Sequence, residues 1–404
     1  MRFKLCICLL NLLGVSVGLY IDTQVHSSSR KLQEGNGRFS EKAQPESLTD
    51  KILTFPGGGH DSSLPESHQN AIEASHYADS EITSSTLNKR LTQIWLNQEP
   101  AGHELVVIST PNDQQWSCRV TYNYAEEAGE GIFIYHIEVE FDGRLETPLT
   151  TPGYRSMPAK YRDGPNQHTT GVASKAIGKT YGVAKKARLI SVNIAKEKPN
   201  EMKSGFQVVV DNINEDKKSD NPTRYKNSIV VMSLGFDNEA WTVNPTEDPW
   251  KSIESSIDEL FDLGVPVVLA SGNHNKYFDK TYEVVDYPQT LLSKDFPIIN
   301  VGCATSDGEL LDVSQEGSKV TIYADGHLVT CAGFSTPQTG SSYTAPQVAG
   351  GIAVFMSQKQ GPFYDKTKDI RGTRAFVFEV RNFLLKEASR FVSSTNMFYN
   401  LNPV

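Results

Sequence analysis

The sequence lacks an excess of basic residues, and beyond its first residues it lacks a long hydrophobic segment. Its 404 residues carry 39 Lys and Arg against 48 Asp and Glu, a formal net charge of −9. This balance argues against a nucleic-acid partner, because nucleic-acid-binding proteins place clusters of Lys and Arg against the phosphates. No later segment reaches the roughly 20 apolar residues of a membrane-spanning helix, so we expect no membrane partner. We also predict no metal and no cofactor, since no ligand spacing for either is visible.

Cysteine is scarce as well. Cys6 and Cys8 lie in the first residues, and only Cys118, Cys303 and Cys331 follow them. These three allow one disulfide at most, and the sequence does not say which two would pair. Buried free thiols are the alternative.

The amino terminus has the composition of a secretory signal peptide. Arg2 and Lys4 precede an apolar run from Leu5 to Val17, and the small residue Gly18 suits a cleavage site. We therefore expect residues 1–18 to be removed and the mature protein to be secreted to the extracellular space.

Residues 19–103 form a polar region that the composition predicts to be weakly structured. Near its end Leu87, Leu91, Ile94 and Trp95 stand at helical spacings, which predicts one short amphipathic helix. A removable propeptide and a permanent linker both fit this region.

From residue 104 to residue 404 short β-branched runs alternate with helical patterns. This texture is typical of a parallel sheet buried on both faces, and it predicts an α/β fold with helices on both sides of the sheet. The predicted strands are 131–137, 188–194, 228–233, 265–270 and 296–303, and the predicted helices are 170–178, 205–214 and 250–263.

Three segments carry polar or reactive side chains at predicted connections between a strand and a helix. Ser342 precedes Pro346 and a run of small residues, which predicts a serine at a helix N-terminus. Asn273 follows a buried strand and could donate its amide to an oxyanion. His168 opens a small-residue helix and could act as a general base. Each residue has a simpler alternative: an N-cap for Ser342, a turn for Asn273 and a surface position for His168.

Taken together, the segments resemble the subtilisin-like serine proteases, most closely the secreted fungal branch similar to proteinase K. Residues Gly340 to Gly350 match the family's Gly-Thr-Ser-Met-Ala-x-Pro-His-Val-Ala-Gly motif, and His168 to Ser174 match its His-Gly-Thr-His-Val-Ala-Gly motif. Ala270 to Asn273 match Ala-Ala-Gly-Asn, and Ser233 to Phe236 match Ser-Leu-Gly-Gly. The resemblance implies a three-layer subtilisin-like fold, with Ser342 as nucleophile, His168 as base and Asn273 at the oxyanion. It also implies a substrate-binding set: Ser233, Leu234, Gly235, Ala270, Ser271 and Gly272.

The acid position departs from the family. The family strand ends in Val-Ile-Asp-Thr-Gly, whereas this chain has His136-Ile137-Glu138-Val139-Glu140, so Glu138 occupies the aspartate position. The next residues, Glu140 to Arg144, resemble a later part of the family's loop, which indicates a short deletion after Glu138. A glutamate can orient a histidine electrostatically, but its carboxylate sits one methylene further from the backbone.

Three other departures fall near the expected cleft, namely Phe236, Tyr343 and the charged segment 196–201. They would narrow or re-polarise the cleft, or the two aromatic residues would only fill space left by the deletion. The resemblance therefore implies a secreted serine endopeptidase with weakened activity that acts on peptide or protein substrates. The alternative is an inactive homologue that binds peptides or protease inhibitors as a decoy.

Overall fold

The structure of the protein is a computed structural model that describes residues 93–111, 114–139, 155–158, 167–237, 243–273, 283–364 and 370–402. The predicted signal peptide, the loop after Glu138 and all but the end of the 19–103 region lie outside the described residues. The strands in chain order are β1 (Trp95–Gln98), β2 (Tyr122–Ala125), β3 (Phe133–Val139), β4 (Arg155–Pro158), β5 (Arg188–Ile194), β6 (Ser228–Met232), β7 (Phe236–Asp237), β8 (Val267–Ala270), β9 (Asp286–Tyr287), β10 (Ile299–Ala304), β11 (Ile322–Asp325), β12 (Ser389–Val392) and β13 (Thr395–Phe398).

Helices cover both faces of the central sheet. Within the described residues they are α1 (His103–Ser109), α2 (Gln167–Ala176), α3 (Pro199–Lys217), α4 (Trp250–Asp262), α5 (Ala345–Ser357) and α6 (Arg374–Lys386). The nine sheet strands run in the order β12-β13-β11-β10-β8-β6-β3-β5-β4. Every described pairing in this sheet is parallel except that of β12 with β13.

Alternation along the strands produces the two cores. On β3, Ile134 joins α2 and α5 in one buried cluster, whereas Tyr135 joins α3 and α4 in the other. Successive side chains of a strand point to opposite faces, so a strand covered on both sides is apolar throughout. The predicted three-layer α/β fold is confirmed.

Element boundaries differ from the predictions where local backbone chemistry intervenes. The predicted strand 188–194 coincides with β5, but β3 begins at Phe133 because Gly131 lies in a turn with φ of 80°. Helix α3 begins at Pro199, well before the predicted start, because proline is tolerated in the first helical turn.

The predicted amphipathic helix near residue 95 is wrong at its carboxyl end. Trp95 opens β1, which pairs with β2 in antiparallel register, Trp95 facing Ala125. Hydrogen bonding to β2 stabilises the extended conformation of these residues, although their apolar side chains have helical spacing. Strand β1 thus pairs with a strand of the predicted peptidase domain, although it lies before residue 104, the predicted start of that domain.

Helix α2 is anchored by a buried ion pair. The Lys175 ammonium group donates to Glu104 Oε1 of α1, and both side chains are fully buried. It also donates to the Thr330 carbonyl at 2.9 Å. This pair fixes the helix that begins beside His168.

Cys303 and Cys331 are buried free thiols, and Cys118 is exposed. Burial raises the pKa of Cys331 to about 11, so this thiol stays protonated. Among the described helices, none combines the length and apolar composition that crossing a bilayer requires.

Candidate active site

The carboxyl ends of three neighbouring strands bring most of the predicted site residues to one edge of the sheet. Strands β8, β6 and β3 are adjacent and parallel. Asn273 follows β8, Ser233 follows β6, and Glu138 lies next to the end of β3. Ligand and catalytic sites of parallel sheets form at this edge.

Ser342 lies in a 3-10 turn, Ser341–Tyr343, which leads through Thr344 into the N-terminus of α5. Gly340, with φ of 149°, leads into this turn. The Ser342 carbonyl accepts a hydrogen bond from Ser233 Oγ at 2.9 Å, which ties the turn to the end of β6. Ser342 is buried.

The side chain of Asn273 is oriented by the residue before the serine. Its Oδ1 accepts hydrogen bonds from the Ser341 backbone N–H and from Ser341 Oγ, both at 2.9 Å. Since Oδ1 is the acceptor of this amide, Nδ2 is left as the donor. A Cβ at Gly340 would lie 3.2 Å from Nδ2, so glycine there keeps the donor accessible.

His168, the second residue of α2, lies between the serine turn and the carboxylate. Its ring contacts that of Tyr343 edge-on, with 5.9 Å between centroids. Its Nδ1 lies 3.8 Å from Glu138 Oε2. This is ion-pair distance, but it is too long for a direct hydrogen bond. The structure thus brings His168, Glu138, Asn273 and the turn of Ser342 to one place.

Burial controls the charge of the carboxylate and the imidazole. Desolvation raises the pKa of Glu138 to about 8, a rise opposed by the Val139 N–H that donates to Oε1 at 3.0 Å and reinforced by the charge of Glu197. Burial also lowers the pKa of His168, although its side chain is partly exposed. At neutral pH the histidine is therefore neutral, and the acid holds its proton in most molecules.

The predicted substrate-binding residues flank this site on two strand ends. Gln289 bridges them: its Nε2 donates to the Leu234 carbonyl at 3.0 Å and to the Ala270 carbonyl at 2.8 Å. Gly272 has φ of 110°, and a Cβ there would lie 2.5 Å from Asp286 Oδ2, so only glycine fits. The remaining members lie on the same two ends: Ser233, Gly235 and Ser271.

The residues that depart from the family motifs lie in different environments. Phe236 is buried and contacts Trp250 edge-on at 5.7 Å between centroids, so it fills the core. Tyr343 is buried against His168. Residues 196–198 are exposed, and Glu197 acts electrostatically on Glu138.

Sequence reasoning missed two residues of the site. Ser341 orients Asn273, and its type gave no signal because serine is common in turns. His136 lies two residues before Glu138 on β3, so strand periodicity could have placed the two on one face. Among the residues that the structure describes, no three His, Cys, Asp or Glu side chains are grouped to hold a metal ion.

Comparison with known proteins finds serine proteases among the relatives of this chain. The chain is 25% identical over 317 residues to a cuticle-degrading serine protease of Arthrobotrys oligospora, covering 75% of this chain and 68% of that protein. It is 27% identical over 261 residues to subtilisin-like protease 2 of Trichophyton tonsurans, covering 61% of this chain and 55% of that protein. The chain thus spans little more than half of the second relative.

Among solved structures, the fold resembles the crystal structure of a cold-adapted subtilisin-like serine proteinase. The TM-score is 0.54 at 22% identity, and the match covers 75% of this chain and 99% of that one. The model of the subtilase family, Peptidase_S8, matches residues 149–397, which begins after Glu138 and leaves the acid position outside the match. Because this match covers more than half of the chain, the protein belongs to the subtilase family.

Proposed function

We propose that the protein is a secreted serine endopeptidase that hydrolyses peptide bonds through an acyl-enzyme. Ser342 attacks the peptide carbonyl, and His168 takes the hydroxyl proton and returns it to the leaving amine. Asn273 Nδ2 and the Ser342 backbone N–H stabilise the oxyanion. Glu138 orients His168 and stabilises the imidazolium that forms.

The observation that carries this proposal is the position of His168. Its Nδ1 lies 3.8 Å from Glu138 Oε2 while its ring touches the residue that follows Ser342. Catalytic hydrogen bonds are often long before substrate binds, so 3.8 Å is compatible with a contact that tightens in the complex. The raised pKa of Glu138 also implies weak activity at neutral pH, because a protonated acid stabilises an imidazolium poorly.

The proposed processing follows from the sequence pattern. Residues 1–18 would be cleaved as a signal peptide, and residues 19–103 would serve as a propeptide-like or linker region before a peptidase domain of residues 104–404. Peptides or proteins would be the substrates, with protease inhibitors as further partners.

One observation favours a second function, an inactive binding or decoy protein. Glu138 Oε2 is buried and has no hydrogen-bond partner among the described residues. If the carboxylate never approaches His168, the site would bind peptides or inhibitors without cleaving them.

A fluorophosphonate probe distinguishes the two functions, because it phosphonylates only an activated serine. The protein purified from the medium is incubated with the probe between pH 7 and pH 10, beside Ser342→Ala and His168→Ala. We expect stoichiometric labelling of the parent and none in either variant. Absence of labelling in all three proteins at every pH would exclude the endopeptidase.

Asn273→Leu tests the oxyanion donor. Loss of one donor lowers turnover by about 10²–10³-fold, a magnitude measured in subtilisin, a member of this family. The KM should change little, because the interaction forms mainly in the transition state. The readout is kcat and KM on a chromogenic peptide.

Asn221→Leu serves as a matched control, since it makes the same chemical change at an exposed asparagine in the segment that leads into the amino end of β6, away from the carboxyl strand ends that carry the site. An equal loss of turnover in both variants would remove Asn273 from the proposed role.

A further inference from the structure

One face of the sheet carries polar side chains behind the site. Alternation along β3 places Tyr135 and Ile137 in the core formed with α3 and α4, so His136 and Glu138 point to the opposite face. In the parallel register with β5, His136 faces Ser191 and Glu138 faces Asn193. The result is a polar cluster: His136, Glu138, Ser191 and Asn193.

Two side chains of this cluster carry buried polar atoms that have no hydrogen bond. Both ring nitrogens of His136 and Oε2 of Glu138 are buried and have no hydrogen-bond partner among the described residues. Ser191 Oγ, in contrast, donates to Asn193 Oδ1 at 2.7 Å. Buried polar atoms in native proteins are almost always paired, with protein groups or with internal water. Orphaned atoms on neighbouring side chains are therefore natural partners of each other.

We propose that His136 is a positioning residue for Glu138, its ring N–H donating to Glu138 Oε2 through one internal water. A donor at Oε2 favours the ionised carboxylate and fixes its orientation toward His168. The catalytic consequence rests on the proposed function, whereas the contact itself does not. In the family motif the position of His136 is valine, which has no donor.

The surrounding charges define the role of His136 as a neutral donor. Burial and the neighbouring His168 lower the pKa of His136 to about 3, so it stays uncharged at working pH. The groups that face Glu138 are His168 from α2, Glu197 from the loop after β5 and Tyr343 from the serine turn. On the face of β3 that carries Glu138, His136 is the one other titratable side chain, because Tyr135 points to the opposite core.

The test reads the ionisation of Glu138 directly and needs no turnover. Full-length Ser342→Ala protein is labelled with [¹³C]glutamate, and the Glu138 carboxyl resonance is assigned by its loss in Glu138→Gln. We expect His136→Val to raise the midpoint of this resonance by about one pH unit or more, because a donor to the charged form is lost. His136→Gln retains an N–H donor and should stay within about 0.3 unit of the parent.

A parallel measurement needs no substitution at His136. In ¹⁵N-histidine-labelled parent protein, the His136 ring signal should shift with the same midpoint as Glu138. An unchanged Glu138 midpoint in folded His136→Val, or a His136 signal that ignores the Glu138 titration, would overturn the inference. Failure of fluorophosphonate labelling would reject the proposed activity and leave this result standing, so the two fail separately.

Discussion

Glu138→Gln is expected to lower turnover about 10⁴-fold at pH 9, the size of the effect found when the corresponding carboxylate of other serine proteases is removed. The amide cannot stabilise the imidazolium of His168, although it has nearly the same shape. In the parent, activity should rise about tenfold per pH unit below the Glu138 pKa of about 8, because only the ionised fraction is effective. The readout is kcat between pH 6 and pH 10, where the variant should lack this rise.

Glu197→Gln is the matched control, with an effect of opposite sign. The exposed carboxylate of Glu197 raises the pKa of Glu138, so its removal should shift the rise in activity to lower pH. A parent profile that is flat between pH 6 and pH 9, with Glu138→Gln as active as the parent, would contradict a role for Glu138.

Glu138→Gln should also increase the stability of the folded protein at alkaline pH. The pKa of Glu138 is about 8 in the folded protein against the ordinary glutamate value of 4.5, so between these values the folded protein binds a proton that the unfolded chain has released. Stability therefore falls as pH rises through this window, and the cost is complete above about pH 8. Glutamine does not ionise, so Glu138→Gln should unfold at a higher temperature than the parent at pH 9 and lose this advantage near pH 4.

The parts of the fold and site that follow from local pattern could be predicted from the sequence. The β5 prediction matched because its apolar run is bounded on both sides by polar residues, and the α4 helix matched because Ile253, Ile257 and Leu260 repeat at helical spacing. The site residues could be proposed together because each lies in a motif at the end of a strand or the start of a helix.

The remaining features depend on contacts between distant segments. Strand β1 exists because β2 offers it a partner, which local spacing does not reveal. The pairing of Lys175 with Glu104 joins two helices far apart in the sequence, and single charged residues give no sign of burial. The pKa of Glu138 depends on its burial and on the charge of Glu197. The hydrophobic pattern of a strand predicts neither of them.

Lys175→Met is expected to destabilise the protein by about 3–5 kcal/mol, because it leaves the Glu104 carboxylate buried without its cation. His103 Nδ1 lies 3.7 Å from Glu104 Oε2, but this half-exposed side chain cannot replace the two contacts of Lys175. The measurement is the free energy of unfolding from urea titration at pH 7. Since Lys175 lies on the helix that also carries His168, the loss of stability should be accompanied by weaker labelling of Ser342.

The double variant Lys175→Met with Glu104→Leu separates ion pairing from shape. Replacing both partners by apolar residues of similar size removes the uncompensated charge, so the double variant should be more stable than Lys175→Met alone. Lys186→Met supplies the exposed control, because its contact with Glu130 is 3.7 Å long and both side chains are largely in solvent. Equal losses of stability for Lys175→Met and Lys186→Met would show that the buried ion pair does not stabilise the protein more than an exposed one. A double variant as unstable as Lys175→Met would show that the loss comes from packing around the aliphatic part of Lys175 and not from the unpaired charge.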